Sequence, residues 1–219
     1  MEATSTDQTT AAVFAGGTMS AGVAVAPSSF VIAADSGYDN ARSMGVTVDI
    51  LVGDMDSISA AGLAEAEELG VIIERFPSDK DATDLELAID TALRRGANHV
   101  TIYAGEAGSF GHLLGVALGL TDKRWAEVSV VWRIGGASVY RSLPSFPVRL
   151  HSEIGSIVTI LPIGDTTGVT ASGLRWPLDN SDLERGTTLG LSNVSTSPVI
   201  SISVQTGALL IIVEEADAQ

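Results

Sequence analysis

The sequence predicts an α/β domain with a mostly parallel sheet, followed by an all-β domain of sandwich or barrel type. Three observations carry this. Apolar runs alternate with helical patterns through the first half. After about residue 136 the helical signal fades, and short strand-like runs are punctuated by Gly, Pro, Asp and Asn. The composition, 45% hydrophobic and 18% charged, is that of a chain that buries a core.

In the first half the apolar runs are 11–15, 30–34, 49–52, 71–76, 99–104 and 128–134. Helical spacing falls near 37–44, 59–69, 83–95 and 111–122. Strands separated by helices must be joined by right-handed crossovers, so the sheet is expected to be parallel. The helix over 83–95 is the best marked. Thr83 and Glu86 form a capping-box pattern, and Leu85, Ala88, Ile89, Ala92 and Leu93 repeat at helical spacing. Arg94 and Arg95 suit its negative end, and Gly96 suits its termination. In the second half, strands are expected at 138–143, 148–151, 157–162, 169–176, 187–192 and 199–213. The domain boundary is placed at Gly135-Gly136, giving domains 11–135 and 136–219. The first ten residues are polar and are expected to fray.

With 12 basic and 27 acidic residues the net charge is −15. Such a chain repels nucleic acid and anionic lipid, so neither a nucleic-acid nor a membrane partner is expected. A phosphorylated small molecule remains compatible if a cation reverses the local sign. The absence of cysteine excludes disulfides, thiolate metal sites and a cysteine nucleophile. No apolar run is long enough to span a bilayer, and no basic flank marks a signal peptide. A cytoplasmic protein is the expectation.

The acidic residues fall in an informative pattern. Asp35 directly follows one apolar run, and Asp54 and Asp56 follow another. Asp79, Asp81 and Asp84 cluster at the start of the capped helix. In open parallel sheets ligands bind beyond the carboxyl ends of the strands, which is where these residues converge. Residues at i and i+2 of an extended chain share a face, so Asp54 and Asp56 are expected to aim at one cation. Magnesium takes oxygen ligands, commonly one or two carboxylates together with substrate phosphates. Lys80 offers a point charge to phosphate or to its acidic neighbours. Gly16-Gly17, after the first run, would let backbone amides approach a phosphate. Taken singly, each Asp also suits a cap or a turn.

These residues resemble the thiamine pyrophosphokinase family. Ala34-Asp35-Ser36-Gly37 is similar to that family's Ala-Asp-Gly-Gly. Gly53-Asp54-Met55-Asp56-Ser57-Ile58 is similar to Gly-Asp-Phe-Asp-Ser-Ile. Lys80-Asp81-Ala82-Thr83-Asp84-Leu85-Glu86 is similar to Lys-Asp-x-Thr-Asp-x-Glu. Weaker likenesses run through Gly173–Leu178, Leu191-Ser192-Asn193 and Val204–Leu210. The resemblance implies an α/β catalytic domain and a β domain, usually paired as a homodimer. It implies transfer of pyrophosphate from ATP to thiamine, giving thiamine diphosphate and AMP. By the same resemblance Asp35, Asp54, Asp56 and Asp84 would hold Mg2+ and the ATP phosphates. Asp81 and Lys80 would position them, with Asp81 or Asp84 as candidates to take the hydroxyl proton. Gly16, Gly17 and His112 complete the nucleotide set, and Trp176, Ser192 and Asn193 would contact thiamine. As a helix-start residue His112 equally suits a capping role, and Trp176 equally suits a core.

One stretch departs from the family pattern. Where bacterial members carry Gly-Gly-Arg-x-Asp-His, this chain has Ala107-Gly108-Ser109-Phe110-Gly111-His112. The arginine expected to brace phosphate is Ser109, and the acid is Gly111. That leaves open a relative that binds thiamine or nucleotide without turnover. A phosphatase using Asp54 as nucleophile is a further alternative. It would need its Asp-x-Asp on the first strand of the sheet.

Overall fold

The computed structural model describes residues 9–19, 23–105 and 110–215. Most of the polar start and Ser109 lie outside these. The chain divides into two compact units, Met1–Gly108 with Trp132–Gly135, and Ser109–Val131 with Gly136–Gln219.

The first unit is built on β1 (Thr10–Phe14), β2 (Phe30–Ala34), β3 (Ile50–Gly53), β4 (Ile72–Arg75) and β5 (His99–Tyr103). All pairings are parallel, in the order β5-β1-β2-β3-β4. Helices α1 (Gly37–Ser43), α2 (Ala60–Glu68) and α3 (Asp84–Arg94) make the crossovers. Val13, Phe14, Ile32, Ala33, Leu51, Val52 and Ile102 are fully buried. Burial of each large side chain among them stabilises by about 1.5–3 kcal/mol. Ala41, Ala66, Ala88 and Ala92, also fully buried, let the helices lie close against their neighbours. The Phe14 and Tyr103 rings stack with centroids 4.9 Å apart. At the edge, β4 carries Glu74 and Arg75. Charged side chains there discourage pairing with another sheet.

The α3 boundary follows its predicted cap. The Thr83 hydroxyl accepts from the Glu86 amide at 3.2 Å, and Glu86 Oε2 accepts from the Thr83 amide at 2.8 Å. Because the strands run parallel, Phe14, Ala34, Gly53 and Tyr103 all end on one edge of the sheet, and the following residues build the site.

The second unit contains α4 (Phe110–Gly119), a 3-10 turn (Lys123–Trp125) and the start of β6 (Ser129–Ile134). Its sheets come from β7 (Ala137–Ser142), β8 (Val148–His151), β9 (Ile157–Pro162), β10 (Thr166–Ser172), β11 (Leu178–Leu183), β12 (Asn193–Val194), β13 (Val199–Ser203) and β14 (Leu209–Glu214). One layer runs β12-β9-β14-β7 and the other β11-β10-β13-β8, antiparallel throughout. Alternate residues point inward, including Val158, Ile160, Val169, Ala171, Ile200, Ile202, Leu209 and Ile211, and form one core.

Three expected strands differ. Residues 187–192 form no strand, 189–192 being a turn, and the pairing begins only at Asn193. The run 199–213 is two strands, broken around Gly207, whose φ of 88° turns the chain. The run 169–176 begins earlier, at Thr166, and ends at Ser172. Strand β11, Leu-Asp-Asn-Ser-Asp-Leu, has no apolar alternation. It lies at the edge of its layer, with half of its side chains exposed, so its sequence gives little burial signal.

Candidate active site

Asp35 directly follows β2, in the left-handed region at φ 49°, and is only 4% exposed. Its amide donates to Val52 O at 2.9 Å, which ties the end of β2 to β3. Oδ2 accepts from the Ser57 amide at 3.1 Å and the Ser57 hydroxyl at 2.5 Å. Oδ1 is buried and has no hydrogen-bond partner among the described residues.

Asp54 follows β3, and Asp84 opens α3. One carboxylate oxygen from each of Asp35, Asp54 and Asp84 lies within 4.8 Å of the others. Gly53 makes this approach possible. A Cβ at Gly53 would stand 3.2 Å from both Asp35 Cβ and Asp84 Oδ1, and its φ is 144°. Lys80 Nζ stands 3.0 Å from Asp84 Oδ1 and 3.6 Å from Asp54 Oδ2. Burial works against the lysine's charge, but Asp84 and Asp54 outweigh it and hold its pKa above the ordinary value. A hydrogen bond from Ser78, joined by the Asp56 amide, lowers the pKa of Asp54. Asp35 Oδ1 and Asp84 Oδ1 are both buried without a hydrogen-bond partner among the described residues, the latter facing the Lys80 ammonium, so the three carboxylates form a hard-oxygen donor set of the kind a divalent cation takes.

Asp56 lies outside this triad. The chain at 54–56 is not extended. Met55 has φ 68°, and the Asp56 amide donates to Asp54 Oδ1 at 3.1 Å, closing a turn. Alternation along an extended chain therefore does not apply, and Asp56 is exposed. It remains close enough to feel its neighbours. Repulsion from Asp54 first, then burial and Asp35, raises its pKa. Asp81 is exposed in the turn before α3.

Gly16 and Gly17 follow β1 at the same edge, with Gly17 at φ 91°. Asn40 Nδ2 donates to Ala15 O at 2.8 Å and Gly17 O at 2.9 Å, holding this loop against α1. A Cβ on Gly16 would come within 2.7 Å of the Ser36 hydroxyl, so the two residues are closely apposed.

In the second unit, Trp176 is 57% exposed, and the Arg175 guanidinium lies 5.6 Å from its ring centroid. Asn193 is buried, and its carboxamide is committed to backbone. Nδ2 donates to Trp176 O at 2.7 Å, while Oδ1 accepts from Trp176 N at 3.1 Å and Val194 N at 2.9 Å. Ser192 is exposed at φ 52°. His112 is exposed on α4. Residues with clear site contacts that sequence reasoning passed over are Ser57, Ser78, Asn40 and Gly53. Ser57 and Gly53 lie within the quoted Gly-Asp-x-Asp-Ser motif, which was the available signal.

An open parallel sheet with an acidic edge in one unit, and two antiparallel layers over one core in the other, define the class. Residues 23–131 match the model of the thiamin pyrophosphokinase catalytic domain. Residues 147–209 match that of the thiamin pyrophosphokinase vitamin B1 binding domain. The chain belongs to the thiamin pyrophosphokinase family. It is 25% identical over 186 residues to the thiamine pyrophosphokinase of Bacillus subtilis, covering 83% of this chain and 85% of that one. It is 25% identical over 163 residues to thiamine pyrophosphokinase 1 of rice, covering 71% of this chain and 62% of the rice protein's length. Among solved structures, the Bacillus subtilis enzyme superposes with a TM-score of 0.82 at 22% identity, covering 95% of this chain and all (100%) of that one. The thiamin pyrophosphokinase of Candida albicans gives 0.75 at 14% identity, covering 95% and 90%. These structural likenesses concern the fold. No helix among the described residues is long and apolar enough to cross a membrane.

Proposed function

We propose that this protein transfers the pyrophosphoryl group of ATP to the hydroxyl of thiamine, releasing AMP, with Asp35, Asp54 and Asp84 holding a magnesium ion at the nucleotide phosphates. The observation that carries this reading is the convergence of three carboxylates from three separate segments, two of them with a buried oxygen that has no hydrogen-bond partner among the described residues. When bound, the ion would neutralise phosphate charge and favour in-line displacement.

The chain's own residues do the rest. Lys80 stays an ammonium and offers a point charge beside the phosphates. Asp54 stays ionised under its hydrogen bonds. Asp56 stands at the rim, and the Gly16-Gly17 loop supplies close backbone approach. The proton of the attacking hydroxyl passes to a carboxylate. Asp81, exposed and outside the triad, suits this better than Asp84, whose Oδ1 is paired with Lys80. Trp176 offers a flat face to the thiamine rings, and Asn193 serves by holding Trp176 in place. Ser192 and His112 complete the acceptor and nucleotide sets.

The same reading includes pairing with a second copy, in the cytoplasm. Helix α4 carries no Asp, Glu, Lys or Arg in a chain of net charge −15, so two copies meeting there avoid like-charge repulsion. Phe110, Leu114 and Leu118, spaced at i, i+4 and i+8, are 79%, 46% and 44% exposed. Sedimentation should give a dimer, and Leu114→Glu should shift it toward monomer.

The central test is AMP release from ATP with thiamine, beside calorimetric titration with magnesium and ATP. Asp54→Asn should abolish magnesium-dependent ATP binding while circular dichroism stays unchanged. Binding without AMP release in the unaltered protein would instead identify a non-catalytic relative, in line with Ser109 and Gly111.

A further inference from the structure

We propose that Ser57 is a positioning residue that commits Asp35 to cation ligation through Oδ1 alone. The inference rests on the cation reading above and deepens it. A carboxylate presents two equivalent oxygens, and rotation about its terminal torsion exchanges them. At Asp35 that equivalence is broken. Both donors of Ser57, amide at 3.1 Å and hydroxyl at 2.5 Å, converge on Oδ2. Oδ1 is left buried and without a hydrogen-bond partner among the described residues, on a residue that sits with Asp54 and Asp84 in the carboxylate triad.

The backbone reinforces this. Asp35 is held at φ 49° with its amide on Val52 O. Met55, at φ 68°, turns the chain so that Ser57 comes back toward β2. Ser57 thus bears on the cation through Asp35. Losing a hydrogen bond that orients a metal ligand in this way typically costs about 10- to 100-fold in metal affinity. A plain tie between the end of β2 and the 54–58 turn would use the same hydrogen bonds, but it would not govern cation affinity.

The experiment uses the full chain without nucleotide and Mn2+ as the probe, with free Mn2+ counted by electron paramagnetic resonance. Thermal melting in metal-free buffer is recorded alongside. Ser57→Ala should weaken Mn2+ binding by about 10- to 100-fold. Ser57→Thr, which keeps the hydroxyl, should recover affinity to within about threefold of the unaltered protein. In turnover, Ser57→Ala should raise the KM for magnesium while kcat at saturating magnesium changes much less. If Ser57→Ala does not fold, Ser57→Cys, with its weak donor, should show the same direction. Affinity within about twofold of the unaltered protein in a folded Ser57→Ala or Ser57→Cys overturns the proposal, whatever happens to the melting temperature. Should the unaltered protein fail to bind Mn2+, or Asp54→Asn leave binding unchanged, the cation reading falls and this inference falls with it.

Discussion

Asn193 clasps the backbone of Trp176 from both sides, donating from Nδ2 to its carbonyl at 2.7 Å and accepting at Oδ1 from its amide at 3.1 Å. The indole is therefore presented to solvent from a fixed stem. Asn193→Ala removes both bonds and the one accepted from the Val194 amide, leaving part-buried backbone groups unpaired, which should cost about 1–3 kcal/mol in urea unfolding. Trp125 and Trp132 are buried, so acrylamide quenching of fluorescence reports chiefly on Trp176. Thiamine should protect that signal in the unaltered protein and leave the fluorescence of Trp176→Phe unaffected. Equal protection in both would remove Trp176 from the acceptor site.

Gly53 keeps the space between Asp35 and Asp84 open. Gly53→Ala places a methyl 3.2 Å from each of their nearest atoms, at a φ of 144° that disfavours any side chain. The strain should cost about 1–3 kcal/mol of stability. Titration with Mn2+ should also show cation affinity falling at least about tenfold, because the carboxylates are pushed apart. A variant that is destabilised yet binds the cation normally would show that the site tolerates the displacement.

Arg141 is a buried guanidinium that donates to Leu120 O at 2.9 Å and to the carbonyls of Trp125 and Val128. Burial lowers its pKa to about 10, still well above neutrality, so the charge is retained. Three carbonyls of the segment around the 3-10 turn depend on it. Arg141→Leu should therefore destabilise by about 2–4 kcal/mol, measured by denaturant midpoint. Arg141→Lys should recover little, because an ammonium lacks the planar fork that reaches several acceptors at once.

His99, in β5, has its pKa lowered from the ordinary 6.5, first by burial and then by the charge of Arg133. The unfolded chain takes up the proton near pH 6.5, whereas the folded chain resists it until lower pH. The contribution to stability is thus fully present above the unfolded value and is lost as pH falls below it. Urea midpoints at about pH 7.5 and about pH 5.5 should differ less for His99→Gln than for the unaltered protein. Equal differences would show that carboxylates elsewhere account for the pH dependence.

Strand and helix alternation in the first half, the cap at Thr83 and the acidic residues at strand ends were legible in the sequence by itself. Each depends on residues a few positions apart, where periodicity and hydrogen-bonding preference act directly. Tertiary structure alone decided which acids meet. Asp35, Asp54 and Asp84 are joined by parallel strand register and by the space at Gly53, neither of which is a local property. The left-handed turn at Met55 set Asp56 outside the triad and brought Ser57 onto Asp35. β11 is held by its neighbour in the layer and not by any pattern of its own, so only the folded sheet reveals it. Short-range chemistry writes the elements, but long-range packing chooses the one arrangement in which these like charges are gathered.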